Sequence, residues 1–290
     1  QPILIPPLVK PSGLPASLGR LIGAAASLAA VEYARLLNGP VLVLARDPRH
    51  ADQLETEMRF FAAGGLPIVH FVEWETLAYD SFSPHQDIIS QRLSVLAALP
   101  DLSRGIVIAS APCLLQRLPP KNYVSARSLR LERGEKVDRQ AFVDSLIAAG
   151  YIRVPQVEEH GEIAVRGSLL DLFPMGADEP LRIDFFDDEI ESLRRFDVDT
   201  QLSGIEILEI RILPAREVPL DESDIREFRR RYRERFEGQP SRSRIYREVS
   251  EGIAHGGIEY YLPLFFEETA TLLDYLPQTT VVLKPSDLDA

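Results

Sequence analysis

One cysteine stands in 290 residues, Cys113, so no internal disulfide can form, which fits a reducing cytosol. Histidine is nearly as scarce: His50, His70, His85, His160 and His255 are scattered and show no metal-ligand spacing. No apolar run approaches the roughly 18–20 residues that a membrane span requires. The opening QPILIPPLVKPSGLP has too many prolines and too little continuous apolar character for a signal peptide. Positive charge is in deficit, with 32 Lys and Arg against 44 Asp and Glu, a net charge of −12. That balance argues against a bulk electrostatic grip on nucleic acid or an anionic membrane and leaves room only for a local basic patch. Internal repeats and low-complexity tracts are missing. What is there is a globular composition, 45% hydrophobic and 26% charged, long enough for about two domains. The expectation is a soluble, cytoplasmic, multidomain chain with no membrane partner.

Strand and helix signals alternate over the first part. Residues 16–37, rich in Ala and Leu, read as a helix closed by Asn38-Gly39-Pro40. VLVLA (41–45), IVHFV (68–72) and IVIAS (106–110) are short apolar runs of the kind buried in a parallel sheet. Helices are predicted over 48–63, near 84–98 and briefly up to Leu118, a spacing that implies βαβ units with right-handed crossovers. The pattern changes after Pro119-Pro120. SLRLERG (128–134) reads as a strand and turn, and 138–149 as an amphipathic helix ended by Gly150. From Tyr151 to Leu213 strand follows strand, with turns at Gly161, Gly167, Pro174-Met175-Gly176 and Asp187-Asp188. One helix against an antiparallel sheet makes a small α+β domain. Beyond Pro214 a helix is predicted over 221–236, with Ile225, Phe228, Tyr232 and Phe236 at helical spacing behind Asp221. VVLK (281–284) reads as a strand, and an end so soon after it suggests a piece of a longer protein.

Few residues announce chemistry. The stretch 221–248 holds nine arginines against seven acids and is the obvious candidate for nucleic-acid contact. Its interleaved acids favour a solvated helix paired at i, i+3 and i+4, and its aromatic residues fall on the apolar face. Asp187-Asp188 and Glu158-Glu159 have no histidine or cysteine at a readable catalytic spacing, and Asp187-Asp188 falls where a turn favours Asp. Ser81, Ser83, His85 and Asp87 crowd one short segment, whereas a hydrolase triad draws on separated elements. A phosphate loop needs G-x-x-x-x-G-K-[ST]. Ahead of VLVLA stands Gly23-Ala24-Ala25-Ala26-Ser27, without a lysine. Composition and spacing alone give an α/β protein without a visible active site.

Three longer stretches carry a resemblance: WETLAYDSFSPHQDIISQRL (74–93), EHGEIAVRGSLLDLFPMG (159–176) and LRIDFFDDEIESLRRFDVDTQ (181–201). They closely resemble the N-terminal region of the bacterial transcription-repair coupling factors, large ATP-driven translocases, and GIEYYLPLFF (257–266) and LLDYLP (272–277) continue the match. The same region is similar to the excinuclease component UvrB, whose helicase-like first domain carries a small inserted second domain. The resemblance implies a degenerate helicase-like (RecA-like) parallel-sheet α/β domain in two parts, 1–126 and 214–290, the second truncated at its C-terminal end. An inserted α+β domain would occupy 127–213. Where UvrB carries Gly-Ser-Gly-Lys-Thr, Ala26 replaces the phosphate-binding lysine. The Asp-Glu-Ser-His motif of UvrB gives way to Pro285-Ser286-Asp287-Leu288, without the metal-binding and catalytic carboxylates. Its DNA-clamping hairpin is missing as well, because Tyr79-Asp80-Ser81-Phe82 runs almost directly into Pro84-His85-Gln86-Asp87. The chain would then be a scaffold that is not itself an enzyme and holds no cofactor, with ATP and Mg²⁺ belonging to a downstream motor.

In both families the inserted domain binds UvrA, the damage-recognition component of the excinuclease, and the matching positions here are Arg166, Arg182 and Phe186. Arg182, Asp184 and Phe186 alternate at period two and are expected on one sheet face, with Arg166 on a preceding strand. Two arginines around an aromatic make a common interface core. The residues alone leave an alternative open, in which Arg166 and Arg182 pair with Asp171, Asp184 or Glu189 while Phe186 fills the core. The function implied is recruitment of UvrA to damage-stalled RNA polymerase in nucleotide excision repair. RNA polymerase and duplex DNA would be engaged by domains outside this chain. The rivals are an active UvrB-like DNA helicase and a purely intramolecular brake docked on the C-terminal domain of the same protein.

Overall fold

The computed structural model describes residues 21–78 and 80–284. In chain order its elements begin α1 (Ala25–Leu36), β1 (Val41–Ala45), α2 (Pro48–Ala62), β2 (Ile68–Phe71), α3 (Gln86–Ala98), β3 (Ile106–Ser110) and α4 (Lys121–Ala126). They continue with β4 (Leu129–Glu132), α5 (Arg139–Ala148), β5 (Ile152–Arg153), β6 (Glu162–Arg166), β7 (Leu169–Leu172), β8 (Leu181–Phe186) and β9 (Glu189–Phe196). Last come β10 (Ser203–Ile207), β11 (Glu209–Ile212), α6 (Glu222–Arg235), α7 (Arg244–Ser250), α8 (Leu272–Tyr275) and β12 (Val281–Leu283). No helix among the described residues is long and apolar enough to cross a membrane.

Among the described residues the chain packs as two compact units, one formed by 21–73, 98–116 and 271–284 and the other by 74–78, 80–97 and 117–270. Packing therefore groups 74–97 and 214–270 with the strand-rich stretch, whereas the pattern of the sequence divides the chain at 126 and 213.

The first unit is built on a parallel sheet of order β12-β1-β3-β2. Every residue of VLVLA and IVIAS is buried, as continuous apolar runs in central parallel strands require. Ala30, Val31 and Ala34 of α1 and Ala51, Leu54, Met58 and Ala62 of α2 close a core over Val41, Val43, Ile106 and Ile108. α2 starts where Asp47 accepts the His50 N–H at 2.8 Å, with Pro48 in the first turn, and ends on Ala63 in the left-handed region. Helix α1 begins only at Ala25; residues 16–20 of the predicted helix lie outside the described residues. The short helix predicted up to Leu118 is a single 3₁₀ turn, Ala111–Leu114.

The second unit contains a six-stranded sheet of order β10-β9-β8-β7-β6-β5. Four of its pairings are antiparallel as expected, but β5 runs parallel to β6, so the sheet is mixed. α5 follows its Asp138 N-cap and buries Phe142, Val143 and Leu146. β4 and β11 pair apart from this sheet as an antiparallel ribbon. The arginine-rich stretch is two helices rather than one. Gly238 takes a positive φ of 99° and Pro240 starts a 3₁₀ turn, so α6 and α7 fold back on each other around Phe228, Tyr232, Ile245 and Val249.

Candidate partner-binding interface

Two tight hairpins set the geometry of the candidate site. β6 and β7 turn through Gly167-Ser168, with Gly167 at a φ of +61°, and β8 and β9 turn through Asp187-Asp188, with Asp187 at +59°. A short polar side chain that bonds locally lets Asp tolerate that left-handed conformation better than most residues. Because β6 and β8 run in the same direction, both turns lie at one end of the sheet. Arg166 and Phe186 are the last strand residues before them.

Alternation along β8 sends Leu181, Ile183 and Phe185 into the core and leaves Arg182, Asp184 and Phe186 on the other face, as expected. Phe186 is 75% exposed whereas Phe185 is 4% exposed. Phe186 does not fill the core. The arginines nevertheless pair as the alternative had them, and their shared acid is Asp171. Register places Asp171 opposite Arg182 on β8 and Ala164 on β6. Its fully buried carboxylate accepts Arg182 Nε at 2.7 Å and Nη2 at 2.9 Å, a two-toothed fork, and also accepts Arg166 Nη2. Arg182 donates through Nη1 to the Gln201 carbonyl at 3.2 Å and to Ser203 Oγ at 3.0 Å, and its guanidinium lies 4.8 Å from the Phe196 ring centroid. The bond to Asp171 raises the Arg182 pKa further above its ordinary value. Its side chain is 16% exposed and that of Arg166 is 45% exposed. Asp184 takes the Ser168 hydroxyl at 3.1 Å instead of an arginine. Sequence reasoning named Asp171 as one of three acids open to the arginines without choosing among them, although an acid inside the apolar strand SLLDLF is itself a sign of a buried charge that needs a cation.

The UvrB interaction domain family matches residues 129–218. That segment, with its exposed Phe186 and buried Asp171, is similar to this family. The chain is similar to transcription-repair-coupling factors, 45% identical to that of Escherichia coli (strain K12) over 94% of this chain and 24% of the relative. The protein of Haemophilus influenzae is 45% identical over 91% of this chain and 23% of its own length, and that of Mycobacterium bovis 34% identical over 91% and 22%. The chain thus spans about a quarter of the length of the curated relatives it matches, and the resemblance is to their N-terminal region.

Among the described residues, the remaining sequence candidates are absorbed into structure. Ser27 is fully buried and donates to Glu57 Oε2 at 2.5 Å, while Ala26 is exposed. Pro285-Ser286-Asp287-Leu288 lies outside the described residues, as does Tyr79. Ser83 donates to Glu259 at 3.0 Å rather than meeting a histidine, and burial pushes that carboxyl up to about 7. The backbone N–H groups of Glu158 and Glu159 both donate to Glu162. In the arginine-rich stretch, Arg226, Arg230, Arg231 and Arg244 pair with acids three or four residues away, which favours the solvated-helix reading. The fold also gathers Asp52, Glu55 and His70, with ligand atoms within 4.8 Å of one another, a set invisible in sequence because His70 lies on another element. There the hydrogen bond from His70 at 2.9 Å holds Glu55 down to about 2, and Arg59 covers its other oxygen.

Proposed function

We propose that this chain is the N-terminal, UvrB-like module of a transcription-repair coupling factor and that its work is binding, namely recruitment of UvrA to RNA polymerase stalled at DNA damage. The observation that carries this reading is Phe186, three-quarters exposed at the end of a sheet inside the UvrB interaction domain, with the half-exposed Arg166 on the same face. An aromatic anchor beside a guanidinium is the composition of an interface centre rather than of solvated surface. In this reading 127–213 is the docking domain, inserted in a helicase-like domain made of 1–126 and 214–290.

The helicase-like part serves as a scaffold without ATP turnover. Transfer of a phosphoryl group needs a cation on the phosphates and an aligned Mg²⁺. Here an exposed alanine stands in the lysine position, and the neighbouring serine hydroxyl is turned inward to Glu57. Translocation, with its ATP and Mg²⁺, belongs to the three-quarters of the longer protein outside this chain, as do contacts with polymerase and duplex DNA. Titration calorimetry tests both halves. UvrA should bind with a dissociation constant in the micromolar range or below, and Mg-ATP should give no saturable heat. A chain that ignores UvrA, or one that hydrolyses ATP, refutes the proposal.

A further inference from the structure

The three residues at the candidate interface are not equivalent. Of the five guanidinium N–H groups of Arg182, two point at Asp171 and the two on Nη1 face the Gln201 carbonyl and Ser203. Its plane is also held against Phe196. An arginine so occupied has almost nothing left to offer a partner. Arg166 gives one Nη2 proton to Asp171 and keeps the remaining donors of a side chain that is 45% exposed. A free surface arginine loses rotamer entropy on docking, and holding it beforehand removes part of that cost.

We propose that Asp171 is a positioning residue for partner binding. With Arg182 as its strut, it holds the Arg166 guanidinium on the sheet face of Phe186, so that Arg166 and Phe186 touch the partner and Asp171 and Arg182 do not. The chemistry assigned to the partner is one carboxylate for the outer edge of Arg166 beside an apolar pocket for the Phe186 ring. This rests on the reading of the site as the UvrA contact, yet part of it can be tested without UvrA.

The first measurement uses the full 290-residue chain alone. Side-chain NMR should show slowed rotation and protected Nη protons for Arg166. A guanidinium that rotates as freely as a solvated arginine overturns the proposal. Asp171→Asn keeps the shape and one acceptor but removes the charge, and it should release the Arg166 signal while backbone amide dispersion is kept. The second measurement is a binding cycle with UvrA. Arg166→Ala is expected to weaken binding about 30-fold, the size typical of a central arginine. Asp171→Asn should weaken it about 10-fold, and the double variant should be no weaker than Arg166→Ala alone, because Asp171 acts through Arg166. Additive losses overturn the positioning role. Should Asp171→Asn fail to fold, Arg182→Lys takes its place in the cycle, since lysine keeps the charge but loses the fork; there too additivity refutes. If neither Arg166→Ala nor Phe186→Ala affects binding, the site reading itself fails, whatever the NMR shows.

Discussion

Adjacent phenylalanines on opposite faces of β8 make an internally controlled experiment. Phe185 is 4% exposed in the core and Phe186 is 75% exposed. Truncating a fully buried phenylalanine costs about 3–5 kcal/mol, from lost transfer energy and the cavity left behind. Phe185→Ala should cost that much, which at about 2–4 °C per kcal/mol lowers the melting temperature of its unit by roughly 10 °C. Only a quarter of Phe186 is out of water, so Phe186→Ala should cost less than about 1 kcal/mol and shift melting by at most roughly 3 °C. Binding should invert the order. An aromatic anchor commonly contributes about 2 kcal/mol or more, which at constant fold is a roughly 30-fold weaker complex with UvrA. Calorimetric melting and a titration with UvrA, the latter run below the lowered melting temperature, measure the two effects. A Phe186→Ala protein that melts as low as Phe185→Ala, or that binds like the parent, would sink the assignment.

Three further outcomes are expected. Arg182→Ala should lower stability by about 2–3 kcal/mol in urea unfolding, because it leaves the buried Asp171 with Arg166 alone; an unchanged midpoint would show that Asp171 does not need the fork. Glu217→Gln should cost about 3–5 kcal/mol, since Arg92 and Glu217 are both fully buried and joined at 2.6 Å. The single tryptophan, Trp74, donates to Glu217 at 3.3 Å, so its fluorescence should report that loss, and an unaltered emission and midpoint would contradict the geometry. The third concerns pH. Burial holds the Glu259 carboxyl up to about 7 against an ordinary 4.5, so between those values the folded state binds more protons than the unfolded one. Stability from this group is complete below pH 4.5 and is lost as pH rises through 7, by about 3 kcal/mol at most. Glu259→Gln should flatten the melting profile between about pH 5 and 8, and a profile as steep as the parent's would refute the assignment.

Local features were legible in the sequence wherever a short-range rule decides them. VLVLA and IVIAS are buried from end to end, Asp221 caps its helix, and the Asp187-Asp188 turn lies between two strands as expected. Period-two alternation correctly put Arg182, Asp184 and Phe186 on one face. It could not say which face met the core, since LRIDFF offers an apolar side chain to either side. Convergence was hidden for a different reason. Arg166, Asp171 and Arg182 meet only because the β6–β7 and β7–β8 registers align them, and register follows from turn geometry that one sequence leaves open. The break between α6 and α7 was written in Gly238-Gln239-Pro240, but the run of arginines on both sides of it masks the signal.

The buried Arg92–Glu217 pair has a consequence for how the second unit comes into being. Glu217 lies near the end of the matched segment 129–218, whereas Trp74 and Arg92 both precede its start. A fragment cut to the matched segment would carry Glu217 stripped of its cation and of the indole that donates to it. Vectorial synthesis presents the reverse problem, because Arg92 leaves the ribosome 125 residues before its counter-ion. At about 5–20 residues per second, α3 waits roughly 6–25 s for the anion that neutralises its most deeply buried cation. The Arg92–Glu217 contact therefore forms only after residue 217 has emerged, and any excised piece that keeps it must begin before Trp74 and run past Glu217.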